Sequence, residues 1–363
     1  MSLSIGIIGL PNVGKSTLFN ALADAKALAA NYPFATIEPN TGIVPVPDER
    51  LQVLANMYKT EKIVPAAVEF VDIAGLVAGA SKGEGLGNKF LANIRECEAI
   101  VHVVRAFEND DIVHVNNKID PKNDIEIINT ELILADIETL ENHIPKIMKL
   151  AKADIKNKAK LDYLIFLQNK LLGGRAINSL TPSEIDPDKL DGLQLLTSKP
   201  VIYLFNVDES TLKSEKQRAD IVKNSGLDDT VKIIFMNAKL EEELRELSPE
   251  ESSEMLAEYG IKEPGLTNLA REAYDVLGLQ SFLTAGAKEV RAWTIRKNST
   301  APEAAGVIHS DFQKGFIAAQ VVSYFDLVRE GSEAAARAKG LVRTEGKTYV
   351  MQPNDVVEFR FNV

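Results

Sequence analysis

Cysteine is nearly absent from this 363-residue chain. Its single copy, Cys97, excludes any intrachain disulfide and suits a reducing compartment. Also absent are an apolar run long enough to span a bilayer and a charged-then-apolar leader ahead of the first strand pattern. These absences predict a soluble cytoplasmic protein with no membrane partner. There is no internal repeat and no low-complexity tract, and nothing in the pattern specifies an oligomer. Positive charge is in short supply: 41 Lys and Arg face 52 Asp and Glu, for a net charge of −11. That balance argues against indiscriminate nucleic-acid binding. The deficit is uneven, because residues 281–363 carry eleven Lys and Arg against nine Asp and Glu.

What is present reads as an ordinary globular protein of about two or three domains, with 45% apolar and 26% charged residues. Its sharpest feature is Gly9-Leu10-Pro11-Asn12-Val13-Gly14-Lys15-Ser16, which fits G-x-x-x-x-G-K-[ST] at every fixed position. An apolar strand pattern, residues 3–8, precedes it, and a helical pattern opens at Thr17. The residue types suit a polyphosphate. Gly9 and Gly14 let the backbone wrap an anion with its N–H groups pointing inward. Lys15 brings positive charge to the β- and γ-phosphates, where the chemistry occurs, and Ser16 offers a hydroxyl to Mg²⁺. The helix that follows presents its positive end.

Further strands are expected at 67–72, 99–104, 200–205 and 231–235, separated by helical stretches. This predicts an α/β fold: a doubly wound, mostly parallel P-loop sheet. Asp72 ends the second of these strands and is followed by Ile73-Ala74-Gly75. A carboxylate there suits Mg²⁺ through water, and Gly75 frees a backbone N–H for the γ-phosphate. Thr36, in Asn31-Tyr32-Pro33-Phe34-Ala35-Thr36, is the candidate switch hydroxyl for the same metal. Leu76 follows Gly75 where a Ras-type switch has glutamine, so hydrolysis must use another water-positioning group or be slow. The glycine-rich stretch 79–87 reads as a switch loop, not as a dinucleotide fingerprint.

The base-reading motif departs from a GTPase. Asn206-Val207-Asp208-Glu209 stands where N-K-x-D is expected. Lysine has become Val207, and the aspartate that would grip guanine has become the longer Glu209. Asn206 can pair its amide with adenine N6 and N7, and the Val207 backbone can add a contact. Asn237-Ala238-Lys239 reads as the second base loop. ATP is therefore favoured over GTP.

Between the third and fourth expected strands lies a helical insertion. Ile133, Ile137, Leu140, Ile144 and Ile147 step as a coiled-coil seam, and Leu161, Leu164, Gln168 and Leu171 continue it before Gly173-Gly174. The pattern predicts an antiparallel hairpin arm, kinked at Pro145. Lys146, Lys149, Lys152, Lys156, Lys158 and Lys160 cluster near its turn, as an RNA- or protein-contacting tip or as a solvated face. From 281 the texture is that of a small α+β module. The resulting division is a nucleotide-binding domain over 1–120 and 198–280, the arm over 121–197 and the module over 281–363.

Together, Gly9 to Thr17, Asn31 to Thr36, Asp72 to Leu76, the glycine-rich stretch and Asn206 to Glu209 resemble the YchF subfamily of Obg-related P-loop NTPases, the Obg-like ATPases. The resemblance covers essentially the whole chain, and its C-terminal module is similar to a TGS domain, a ubiquitin-like β-grasp. The resemblance implies ATP hydrolysis in preference to GTP, and ribosome or ribosomal RNA as partner. It puts Asn12, Val13, Gly14, Lys15, Ser16 and Thr17 on the phosphates, Ser16 and Thr36 on the metal, and Asn206, Val207 and Glu209 on the base. It also implies that His114, in the segment after the third strand, replaces the missing glutamine. Three alternatives stay open: a nucleotide-gated scaffold with little hydrolysis, a conventional GTPase, and a metabolic P-loop kinase.

Overall fold

The structure is a computed structural model, and it describes residues 4–23, 40–73, 86–108, 119–152 and 154–362. In chain order the principal elements begin with β1 (Ser4–Ile8), α1 (Lys15–Ala23), β2 (Thr41–Pro45), α2 (Glu49–Tyr58), β3 (Ile63–Val64) and β4 (Ala67–Asp72). They continue with α3 (Leu86–Glu96), β5 (Ala99–Ala106), α4 (Pro121–Leu150), α5 (Ile155–Leu172), β6 (Val201–Val207) and α6 (Glu209–Lys213). Next come α7 (Glu215–Ser225), β7 (Lys232–Met236), α8 (Ala238–Leu244), α9 (Pro249–Glu258) and α10 (Gly265–Val276). The last part holds β8 (Leu279–Ala285), β9 (Val290–Arg296), α11 (Ala301–Ile308), β10 (Phe316–Ser323), β11 (Arg343–Glu345) and β12 (Asp355–Phe361).

Contacts divide the chain into two units. The first takes the described residues up to 23, then 40–42 and 69–266; the second takes 43–68 and 267–362. Residues 43–68 thus group with the C-terminal part, whereas the sequence division puts them in the nucleotide-binding domain.

A doubly wound sheet, most of it in the first unit, runs in the order β2-β4-β1-β5-β6-β7. Ile7 pairs with Asp72, Ile8 with His102, and Val104 with Phe205, all in parallel register. β1 is buried throughout and β5 nearly so, because strands covered on both faces must be apolar along their length. His102 is a polar exception within β5, in ring contact with Tyr203, and burial pushes its imidazole down to about 3. β1 lies between β4 and β5, so the chain leaves it to opposite sides and opens a crevice at the strands' carboxyl ends.

The arm is present. Asp120 caps α4 by accepting from the Asn123 N–H, and Pro121 occupies the first turn, where its missing donor costs nothing. Leu140 and Ile144 pack against Leu164, Leu167 and Leu171 of α5. The buried position is Leu167; its neighbour Gln168, which the periodicity puts in the seam, is only half-buried. A polar amide one residue along loses to the leucine because only the leucine gains from burial. α4 also continues through Pro145 to Leu150. At the root, the fully buried Asp136 accepts from the Leu196 and Thr197 N–H groups at 2.7 and 2.8 Å and from the Thr197 hydroxyl at 2.6 Å. Burial pushes its carboxyl up despite these donors.

The second unit holds a sheet in the order β11-β10-β12-β8-β9-β3. β8 and β9 form an antiparallel hairpin, β12 lies parallel to β8 and antiparallel to β10, and α11 packs on the sheet through Ala301, Ala304 and Ala305. This is the β-grasp arrangement. It starts with β8 at Leu279, a strand the sequence reading does not contain; β2, β3 and α2 are likewise absent from it.

Candidate functional site

The loop after β1 has the backbone its residue types require. Gly14 has φ +89°, and a Cβ there would collide with the Asn206 amide. A Cβ on Gly9 would lie 2.7 Å from the Val103 carbonyl oxygen, so both glycines are close approaches as well as turns. Asn12 also adopts positive φ, at 63°, as asparagine tolerates. α1 then opens at Lys15 with no acidic residue in its first turn, leaving its positive end uncompensated. The Lys15 ammonium donates to Asp72 Oδ1 at 3.0 Å and to the Ile73 carbonyl at 2.6 Å. The residue expected at the phosphates and the carboxylate expected at the metal are thus immediate neighbours, with their side chains 10% and 22% exposed.

Around this loop lies a cavity of about 910 Å³, the size range of a nucleotide site. Asn12, Gly14, Lys15, Ser16 and Thr17 line it from the loop and α1; Asn206, Val207, Asn237 and Ala238 line it from the ends of β6 and β7. The structure brings these predicted residues together. Val13 contributes differently: its side chain is in the core and its carbonyl accepts from Asn206 Nδ2 at 3.0 Å.

That bond revises the role read for Asn206. Its Oδ1 also accepts the Ala238 N–H at 3.0 Å, so one buried amide ties the phosphate loop to the second base loop across 193 and 32 residues of sequence. One N–H and one lone pair remain for a base. Asn237 makes a parallel tie. Its Nδ2 donates to the Val207 carbonyl at 2.9 Å, and its Oδ1 caps α8 by accepting the Leu240 N–H at 2.9 Å.

Glu209 is not where the spacing puts it. It is the exposed first residue of α6 and lines an adjoining cavity of about 490 Å³ that shares Asp208 and Asn237 with the large one. Its neighbour Asp208 lines both cavities, whereas Glu209 lines only the smaller. The reason is capping: Asp208 accepts the Thr211 N–H and the Ser210 hydroxyl at 2.8 Å each, which fixes where α6 begins and turns Glu209 onto the helix. Desolvation raises the Asp208 carboxyl, but these donors outweigh it and hold it below its usual range. Desolvation and the Glu209 carboxylate hold the Tyr259 phenol above its ordinary value, and Lys213 lies 4.2 Å from the centre of that ring.

Sequence reasoning also missed Phe107 and Glu108 after β5 and Glu242 on α8, which line the large cavity together with Lys239 of the second base loop. Phe107 is held by the buried Arg105, whose Nε donates to its carbonyl at 3.3 Å and whose guanidinium lies 4.5 Å from its ring centre. Position alone could have found Phe107, since it directly follows a strand that ends at the phosphate loop. Thr36, Gly75 and His114 lie outside the described residues. No cluster of three His, Cys, Asp or Glu able to hold a metal occurs among the described residues. Mg²⁺ in phosphate sites needs none, because one or two hard oxygen donors and the phosphates themselves suffice. The Ser16 hydroxyl and Asp72 carboxylate fit that requirement.

Comparison with known proteins agrees along the whole length. A model described as a 50S ribosome-binding GTPase matches residues 4–136, and the C-terminal model of YchF GTPases, described as a protein of unknown function (DUF933), matches 279–362. The chain is 50% identical to the ribosome-binding ATPase YchF of Bacillus subtilis and 51% identical to that of Haemophilus influenzae, each over the full length of both proteins. The solved structure of the Schizosaccharomyces pombe YchF GTPase is 38% identical, with a TM-score of 0.86 over 99% of this chain and 98% of that one. A GTP-binding protein of Pyrococcus horikoshii, at 20% identity and a TM-score of 0.60, shares the fold. A phosphate loop, a modified base motif and an arm in one order, matched end to end by these relatives, leave one assignment: the chain belongs to the YchF family of P-loop NTPases.

Proposed function

We propose that this chain is a cytoplasmic, ribosome-associated P-loop NTPase that hydrolyses ATP in preference to GTP. The observation that carries the base preference is the displaced Glu209. It lines a cavity other than the one holding the phosphate loop, and Val207, in place of lysine, is buried. A carboxylate one methylene longer than aspartate, set on the exposed start of α6, is poorly placed to accept the two donors of guanine, whereas adenine requires neither. The names of the YchF relatives support the ribosome and the ATPase activity. That no helix among the described residues is long and apolar enough to cross a membrane is consistent with the proposed location.

In this reading the N–H groups of residues 12–17 bind the phosphates. Lys15 offsets the charge that builds on the β–γ bridging oxygen as that bond breaks and water adds to the γ-phosphorus. Ser16 and Thr36 would hold Mg²⁺ directly and Asp72 through water, and the ion would supply positive charge that offsets the phosphates' negative charge. Lys15 and the Ala238 loop orient the nucleotide, with Asn206 holding the two loops in register. Phe107 supplies an apolar wall. Gly75 frees a γ-phosphate contact, and His114 orients the attacking water in place of glutamine. The nucleotide-binding part, the arm and the C-terminal module are proposed as three working parts of this switch.

Titration with fluorescent ATP and GTP, with and without Mg²⁺ and 70S ribosomes, tests the reading. Tighter ATP than GTP binding, Mg²⁺-dependent phosphate release and co-sedimentation with ribosomes are expected. Equal affinity for the two nucleotides would overturn the base assignment. A nucleotide-gated scaffold is the second reading, favoured by Leu76; single-turnover mixing that releases no phosphate over hours would select it.

A further inference from the structure

The far end of the arm is built differently from its root. Between residues 146 and 160 there are six lysines and one acidic residue, Asp154, in a chain whose net charge is −11. Lys146, Lys149, Lys152, Lys156 and Lys158 are exposed and Lys160 is half-buried. Asp154 offsets only one of these six charges, and its carboxylate caps α5 by accepting the Lys156 N–H at 2.9 Å and the Asn157 amide at 3.2 Å. The packed seam ends at Ile147 and Leu161. Beyond it Met148, Leu150 and Ile155 are 48%, 54% and 83% exposed. A purely solvated helix end gains nothing from three large apolar side chains in water.

We propose that the arm tip is an RNA-contacting surface that binds the phosphate backbone through these lysines and packs Ile155 and its apolar neighbours against ribose or base faces. The inference rests on the ribosome-binding reading above and deepens it by naming the contact surface. Charge decides the partner. The acidic remainder of the chain is repelled by a polyanion, so the basic end sets the direction of approach. The cations are all lysines, which act as point charges on phosphate and lack the planar fork that reads base edges, so the contact is expected to be indifferent to sequence. The arm is suited to present it. Three bonds to Asp136 pin α4 midway, and from there to Leu150 the helix runs about 21 Å at 1.5 Å per residue.

The test uses the full chain with Lys146, Lys149, Lys156 and Lys158 all changed to Gln, with circular dichroism and basal ATP turnover as controls for folding. Binding to 70S ribosomes and to protein-free ribosomal RNA is measured from about 50 to 300 mM KCl, the range over which counterion release is read. The expected result is a roughly ten- to hundred-fold weaker complex with both probes. The slope of log affinity against log salt should be shallower by about three to four, near one per lysine removed. Ile155→Ala should weaken binding a few-fold and leave the slope unchanged; unaltered affinity would remove the apolar contact from the inference. If the wild type binds ribosomes and the quadruple variant does so with the same affinity and slope, the tip is not the contact surface. Loss on ribosomes without wild-type binding to protein-free RNA would make the partner a protein surface and overturn the RNA assignment. Failure of the wild type to bind ribosomes at any salt would instead strike the function proposed above.

Discussion

The two halves of the nucleotide cavity are held in different ways. The phosphate half is one continuous loop whose shape is dictated locally by Gly9, Asn12 and Gly14. The base half is assembled from two separate loops, after β6 and β7, and is held by two side-chain amides, Asn206 and Asn237. The first half needs backbone geometry that only a few residue types allow. The second depends on bonds between distant residues, so it is the half where a family can change its preferred base without losing the fold.

Lys15→Ala should have the largest effect and should fall on the phosphate half alone. Losing charge-assisted bonds to two phosphates costs about 3 kcal/mol, on the order of a hundred-fold in affinity for both ATP and GTP. Isothermal titration reads it, and an undiminished ATP affinity would falsify the assignment of this loop. Asn206→Ala should strike both halves at once. It leaves the buried Val13 carbonyl and Ala238 N–H without their partner, for a stability loss of about 2 kcal/mol and weaker binding of every nucleotide. If urea unfolding moves little while only ATP binding suffers, Asn206 reads the base and does not join the loops.

His102 lies beneath both halves, paired in register with Ile8 on one side and Tyr203 on the other. Its folded pKa of about 3 lies below the ordinary value of 6.5, so the unfolded chain binds the extra proton between these values. Its contribution should therefore be constant above pH 6.5. Below it, stability should fall by about 1.4 kcal/mol per pH unit until the folded form titrates near 3. Denaturant titrations at pH 7.5, 6.5 and 5.5 check this against His102→Leu, which should lack that component of the slope. The smallest effect is expected from Glu209→Asp combined with Val207→Lys, which should move the ATP-to-GTP affinity ratio toward GTP by about ten-fold, the worth of one recovered hydrogen-bond pair. An unaltered ratio would mean that Asp208 or the backbone sets the preference.

The same contrast explains what could be read from sequence. The phosphate loop was legible because its information is contained in nine consecutive residues between a strand and a helix. The base half was half legible. Asn206, Val207, Asn237 and Ala238 do line the cavity, but Glu209 does not, because its direction depends on where Asp208 starts α6. Phe107 went unnoticed because an aromatic after a strand carries no motif. The seam of the arm was placed correctly except at Gln168, where periodicity outvoted chemistry and Leu167 is the buried residue. β3 was illegible for a different reason: two residues, Ile63 and Val64, make a strand only because Val290 and Arg291 lie beside them.

That pairing has a consequence for how the molecule is made. The second sheet draws its β3 edge from residues 63–64, while residues 69–266 belong to the other unit. β12, one of its two central strands, is the last of the described strands to emerge during synthesis, and until then β8, paired with β9, and β10, paired with β11, each keep one edge open. Residues 63–64 are thus left without their partner until residues 290–291 have been translated. The nucleotide sheet can close first, and the β-grasp sheet should be the slow, late step on which misfolding and proteolysis act.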